Sequence, residues 1–156
     1  MSTDKLVEDL GTLSLVESAI EYRSNFYPPW SLPVADVRVI GEYTNEDGPH
    51  AADHFLMFFG PDGKTHEVPA GADGVFSVLH SLEGIFGDSL EVELGFVTTF
   101  ASRVIWPPQL SGQPVFIVHE KAEKFTDKLR SAFGLGRVEL RLRPEIRSRV
   151  EGQSTP

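Results

Sequence analysis

Residues 54–69 have the sequence HFLMFFGPDGKTHEVP, which carries the strongest structural pattern in the chain. The five consecutive apolar residues at 55–59 would point alternately to the two faces of a strand. Both faces therefore need apolar cover, which is typical of a strand inside a sheet rather than at its edge. We predict a central strand here.

The motif GPDG at 60–63 predicts a tight turn after this strand, because proline fixes φ and glycine accepts positive φ. Residues 64–69 would then return as an antiparallel partner strand. If the turn contains a glycine bulge, the predicted cross-strand pairs are Phe58 with His66 and Leu56 with Val68.

Apolar spacing predicts the remaining elements. A helix over 73–87 would be capped by Asp73 and closed by Gly87. Its apolar stripe comprises Val75, Val78, Leu79, Leu82, Ile85 and Phe86. Further helices are predicted over 15–23 and 120–133, and further strands over 34–44, 90–96, 102–106, 115–118 and 137–143.

The predicted order is α-β-β-β-α-β-β-α-β, which indicates an α+β fold with a predominantly antiparallel sheet of about five or six strands packed with helices. We expect residues 1–144 to form a single domain and the polar residues 145–156 to be a frayed tail. Because 55–59 needs cover on two faces, a homodimer joined through the second face is one hypothesis.

Composition excludes several classes of function. The chain of 156 residues has no cysteine, so disulfides, thiolate metal sites and cysteine nucleophiles are excluded, and a reducing compartment is favoured. Its start lacks the pattern of a secretory signal, and no window has the 18 apolar residues of a spanning helix. We therefore expect a soluble, cytoplasmic protein that does not bind membranes.

Charge is distributed unevenly along the chain. Residues 1–119 contain 5 Lys+Arg against 17 Asp+Glu, a net of −12, whereas residues 120–156 contain 9 against 6, a net of +3. An overall charge of −9 opposes encounter with phosphate backbones, so we predict no nucleic-acid partner. A protein or peptide partner with basic residues fits this charge better.

No catalytic, metal or cofactor signature stands out. His50, Asp53 and His54 form the closest histidine cluster, but no fourth ligand accompanies them, and we predict neither a metal nor a cofactor. Glu91 and Glu93 share one face of a predicted strand; a hydrolase dyad or a cation site is one interpretation, and an ordinary exposed strand face is the favoured one.

The segment 98–103 combines hydroxyl groups with an arginine inside an otherwise apolar stretch. Hydroxyl donors and a guanidinium suit carboxylate or phosphate recognition. The candidate ligand-binding residues are Thr98, Thr99, Ser102, Arg103 and Trp106. The favoured alternative is that the threonines are ordinary strand residues and that Arg103 pairs with a carboxylate.

Residues 137–143 (RVELRLR) alternate arginine with apolar residues, as on a strand with one exposed face. We predict that Arg137, Arg141 and Arg143 offset acidic strands that carry Glu91 and Glu93, within one subunit or across a dimer interface. The alternative is that the strand over 137–143 is exposed and binds a partner.

Good core patterns without an assembled catalytic motif favour a non-catalytic interaction or binding module that recognises a protein or peptide partner. The alternative is a small-anion or ligand-binding protein, or an enzyme, that uses the 98–103 segment, with a histidine such as His66 as a further participant.

Overall fold

The computed structural model describes residues 10–44, 54–94, 101–117 and 141–151. These residues form a single compact α+β fold, as the sequence predicts. The strands are β1 (Thr12–Val16), β2 (Ala19–Arg23), β3 (Trp30–Pro33), β4 (Val39–Thr44), β5 (His54–Phe59), β6 (Thr65–Pro69), β7 (Ala101–Trp106), β8 (Phe116–Ile117) and β9 (Arg141–Leu142). The helices are α1 (Val75–Phe86) and α2 (Pro144–Val150). The predicted helix over 120–133 lies outside the described residues.

The strands belong to separate antiparallel sheets rather than to the one sheet that the sequence predicts. Among the described residues, one sheet has the order β1-β2-β3, a second has the order β6-β5-β4-β7, and β8 pairs with β9. A short 3-10 turn at Val34–Asp36 follows β3 directly and redirects the chain between the first sheet and the second. This turn also replaces the start of the strand predicted over 34–44.

The helix predicted over 15–23 is wrong, because this region is the antiparallel hairpin β1–β2. Leu13, Ile20 and Tyr22 are buried in it. Leu13 and Ile20 are seven residues apart, which fits one face of a helix, but they also share one face of this hairpin, where Leu13 pairs with Tyr22 and Leu15 pairs with Ile20. The spacing of Leu13 and Ile20 alone therefore does not distinguish the two structures. The two-residue turn has Glu17 at φ 59° instead of the glycine that usually marks such a turn.

The hairpin predicted over 54–69 is confirmed. Strand β5 lies inside the four-stranded sheet and is buried from Phe55 to Phe59. Its register with β6 pairs Phe58 with His66 and Leu56 with Val68, as predicted.

Helix α1 is also confirmed, and it ends at Gly87 in the left-handed conformation. Asp73 does not cap it: the residue before the helix is Gly74, and no side chain caps the start. A Cβ at position 74 would collide with the Leu13 carbonyl oxygen, and φ there is +84°. Glycine therefore allows α1 to start directly against β1.

One face of the four-stranded sheet is covered by the first sheet and α1. Leu56 and Phe58 of β5 pack there with Leu13 and Ile20 of the hairpin and with Leu82 of α1. The α1 stripe is buried as predicted at Val75, Val78, Leu79 and Leu82, whereas Ile85 is 57% exposed. Ile85 is thus an exposed member of the apolar stripe.

The opposite face is covered by the C-terminal part of the chain. Phe55, Met57 and Phe59 pack there with Val115, and with Ile146 and Val150 of α2. The frayed tail predicted for 145–156 is therefore wrong over the helical residues, because α2 buries two apolar side chains. This cover comes from the same chain, so β5 gives no reason to invoke a dimer.

The strand predicted over 90–96 is not formed in its described part, 90–94, which is irregular. These residues are bonded to the four-stranded sheet through the side chains of Glu42 on β4 and Arg103 on β7. Alternation of apolar and acidic residues is present, but the peptide groups of this segment bond to side chains instead of a neighbouring strand. We refer to residues 90–94 as the strap, because side chains of the sheet hold their peptide groups.

Candidate binding groove

The guanidinium of Arg103 is held inside the protein rather than offered to a ligand. Its Nη1 lies 3.2 Å from Glu42 Oε2, and its Nη2 donates to the Glu91 carbonyl at 2.8 Å. Its Nε lies 3.4 Å from Glu93 Oε1. An anion would have to displace the Glu42 carboxylate, so the arrangement matches the favoured alternative of an internal ion pair.

Glu42 of β4 is a charged residue that is fully buried, at 0% exposure. Burial of the carboxyl, the largest single effect, raises its pKa, yet donors to the carboxylate outweigh burial and hold the pKa of Glu42 below 4.5. These donors are His54 Nε2 at 2.8 Å, Glu93 N–H at 2.8 Å and Leu94 N–H at 3.1 Å. The ionised carboxylate therefore holds the strap against β4.

The other described candidates of the anion-site hypothesis also have internal partners. Ser102 Oγ accepts hydrogen bonds from the Val115 N–H at 3.1 Å and the Phe116 N–H at 3.4 Å. Trp106 stacks on Phe86 with ring centroids 4.3 Å apart, and its Nε1 donates to Asp88. Thr98 and Thr99 lie outside the described residues.

The predicted pairing between C-terminal arginines and Glu91 or Glu93 is seen nowhere in the described part of the chain. Glu93 pairs with Arg103, while Arg143 Nε lies 3.5 Å from Glu145 Oε1. Arg141 lies on β9, and Arg137 is outside the described residues. The Glu91 carboxylate accepts from Ser89 Oγ at 3.3 Å. Glu91 and Glu93 do not sit on a strand, which removes the geometric basis for the dyad interpretation.

Histidines 54, 66 and 80 are described, and each has a local role. His54 bonds to Glu42, His66 Nδ1 lies 3.0 Å from the Phe58 carbonyl oxygen, and His80 lies 3.6 Å from Glu83. His50 and Asp53 are outside the described residues. Within the described ranges, no group of three or more His, Asp or Glu side chains is arranged to hold a metal ion.

A groove of about 310 Å³ lies between β1 and α1. Its lining residues are Leu13, Ser14, Leu15, Gly74, Ser77, Val78 and Ser81. The wall from α1 is exposed at Ser77 and Ser81, so the groove opens to solvent. Apolar side chains and hydroxyl groups line it, and no charged side chain does.

Strand β1 forms the outer edge of its sheet beside this groove. The Leu13 N–H donates outward to the Asp73 carbonyl at 2.8 Å, and the Asp73 N–H donates to the outward Gly11 carbonyl at 3.0 Å. Peptide groups alternate in direction along a strand, so the N–H and C=O of Leu15 also point outward. No hydrogen bond to them occurs in the described residues.

Two exposed apolar residues lie on the elements that form the groove, outside its lining. Val16, the next residue after Leu15, is 43% exposed. Ile85 follows Ser81 by four residues on the same side of α1 and is 57% exposed. Strand β1 and helix α1 therefore each carry an exposed apolar side chain in addition to those that line the groove.

Spacing alone does not reveal this groove, because a helix is predicted over 15–23 in place of the β1–β2 hairpin that forms one wall. The helix wall is visible in the sequence, since Ser77, Ser81 and Ile85 recur every four residues. Arg103 also had a signal, because it precedes the apolar residues 104–106, where a charged side chain needs a partner if it is buried.

The part of the chain that the structure describes contains no helix long and apolar enough to cross a membrane. Comparison with protein-family models, with curated proteins and with solved structures finds no match to this chain.

Proposed function

We propose that this protein is a non-catalytic binding module that recognises a protein or peptide segment in the groove between β1 and α1. The observation that carries the proposal is the composition of the groove. Apolar residues, hydroxyl groups and the outward peptide groups of Leu15 line it, and together these suit a polypeptide segment.

The alternative, a small-anion or ligand site that includes Arg103, receives less support. Its guanidinium donates to Glu42 and to the Glu91 carbonyl, and Ser102 accepts two backbone hydrogen bonds. A bound anion would leave the Glu42 carboxylate buried without its cation, which is costly.

A random-peptide display selection against the full chain tests the proposal. Selected peptides should bind the unmodified protein and lose affinity for Ser81→Trp, because the indole fills the groove. His80→Trp is the matched control, since His80 is the neighbouring exposed residue of α1 and is absent from the lining. This control should bind the same peptides with unchanged affinity.

Peptides that bind Ser81→Trp as well as the unmodified protein would contradict the groove as the binding site. Circular dichroism melting of both tryptophan variants verifies that they remain folded. The homodimer and the cytoplasmic location stay predictions from the sequence, and sedimentation of the purified chain checks the first of them.

A further inference from the structure

From the edge geometry and the surrounding charge, we infer that the segment bound in the groove is an extended basic peptide that pairs with β1 as an added strand. This inference rests on the proposed function. It specifies how the occupant binds and which chemistry it carries.

The first argument is the backbone of β1. The β1–β2 turn has two residues, so Val16 and Ala19 close the hairpin as a hydrogen-bonded pair. Alternation then directs the peptide groups of Leu13 and Leu15 away from β2. Asp73 already uses the outward N–H of Leu13, in the manner of a parallel strand.

Pairing with Asp73 stops where the chain turns into α1. A peptide that continues along this edge meets the N–H and C=O of Leu15, which have no hydrogen-bond partner among the described residues. The peptide could accept a hydrogen bond from the first and donate one to the second, as in strand addition. Its side chains would alternate, with one set toward the groove between Leu15 and Val78 and the other toward solvent.

The second argument is charge complementarity. The two segments that form and flank the groove, 10–23 and 73–87, contain four acidic residues and one basic residue, a net of −3 with histidine neutral. The acidic residues are Glu17, Glu21, Asp73 and Glu83. The basic residue is Arg23, which lies 3.5 Å from Glu21. The positive charge is thus already paired, and the field at the groove favours a cationic occupant.

The same charge argues against a second copy of this chain as the occupant. Two β1 edges placed side by side would bring two sets of these four carboxylates together. The whole chain also has a net charge of −9, which adds to the repulsion.

A defined probe tests the inference, namely an acetylated and amidated seven-residue peptide in which lysine alternates with valine. Calorimetry with the full chain should show binding that weakens at least about tenfold in Ser81→Trp and is unchanged in His80→Trp. The matched peptide with glutamate in place of lysine should bind at least about tenfold more weakly than the lysine peptide at low salt.

An N-methyl scan of the lysine peptide tests strand addition directly, without any change to the protein. Methylation of the amide that donates to Leu15 should weaken binding about tenfold or more, whereas methylation of the two adjacent amides should change it less than about threefold. In amide-exchange measurements, the Leu15 N–H should become protected when the peptide is present.

Failure of the inference differs from failure of the proposed function. If displayed peptides require an open groove but the lysine peptide does not bind, or binds no better than the glutamate peptide, the basic-strand inference is overturned and the proposed function stands. Equal sensitivity of all amides to methylation also overturns it. If neither displayed peptides nor the probe distinguish Ser81→Trp from His80→Trp, both proposals fail.

Discussion

Glu42 on β4 and Arg103 on β7 are cross-strand neighbours, and their side chains form a buried ion pair with Oε2 and Nη1 3.2 Å apart. Removing two charges from water is expensive, so such a pair is weak evidence of net stabilisation by itself. Its structural effect is clearer: Glu42 and Arg103 both bind peptide groups of the strap, at 91, 93 and 94. The pair joins β4, β7 and the strap at one point.

Glu42→Gln should therefore destabilise the protein by about 3 to 5 kcal/mol, because it removes the buried carboxylate from Arg103 and leaves the guanidinium with the exposed Glu93 as its carboxylate partner. Urea unfolding at neutral pH, followed by circular dichroism, measures the loss. The matched control is Glu91→Gln, because Glu91 is exposed and contacts Arg103 only through its carbonyl group. This control should change the unfolding free energy by no more than about 0.5 kcal/mol. Equal effects of the two substitutions would contradict a structural role for the buried pair.

Stability should also depend on pH through Glu42. Its pKa in the folded protein is lower than the usual 4.5, so the folded state favours the ionised form. The resulting stabilisation is fully present above the unfolded-state pKa and is lost as pH falls through the lower folded-state pKa. Urea unfolding between pH 7 and pH 3 should show a steeper decline for the unmodified protein than for Glu42→Gln. Parallel curves below pH 4.5 would contradict this assignment.

The elements that the sequence predicts correctly are those whose pattern has one interpretation. The run at 55–59 and the GPDG turn fix β5, β6 and their register, because the turn type determines which residues face each other. The glycine at 87 likewise marks the end of α1. In these places local preference and tertiary packing agree.

The predictions that are wrong involve patterns that satisfy two structures. Leu13 and Ile20 fit either a helix or a hairpin, and Glu17 occupies the turn without the usual glycine. The groove is formed by β1 and α1, which are far apart in sequence. Because the hairpin that contains β1 was not predicted, the groove could not be predicted either. The burial of Glu42 also cannot be predicted from spacing, because the sequence does not show that Arg103 lies opposite it on β7.

Ile146→Ala tests the docking of α2 against the sequence-based view of a frayed tail. Ile146 is fully buried against the four-stranded sheet, so truncation should cost about 2 to 4 kcal/mol through lost burial and a residual cavity. Ile85→Ala is the matched control, because this isoleucine is 57% exposed on α1. Ile85→Ala should lower the free energy of unfolding by less than about 1 kcal/mol, because the exposed side chain buries little apolar area. A frayed tail instead requires Ile146→Ala to leave the urea midpoint unchanged.

Glu17→Gly should stabilise the protein, in contrast to most surface substitutions. Glu17 has φ 59°, a conformation that costs an L-residue about 1 to 2 kcal/mol and that glycine adopts without a Cβ clash. Glycine also increases the conformational entropy of the unfolded chain, which offsets part of this stabilisation. We therefore expect the free energy of unfolding to rise by about 0.5 to 1 kcal/mol. Thermal unfolding measures it, and Glu17→Ala is the matched control, because alanine removes the same carboxylate but retains the backbone strain. If alanine stabilises the protein as much as glycine does, the gain comes from lower negative charge near the groove and not from the turn.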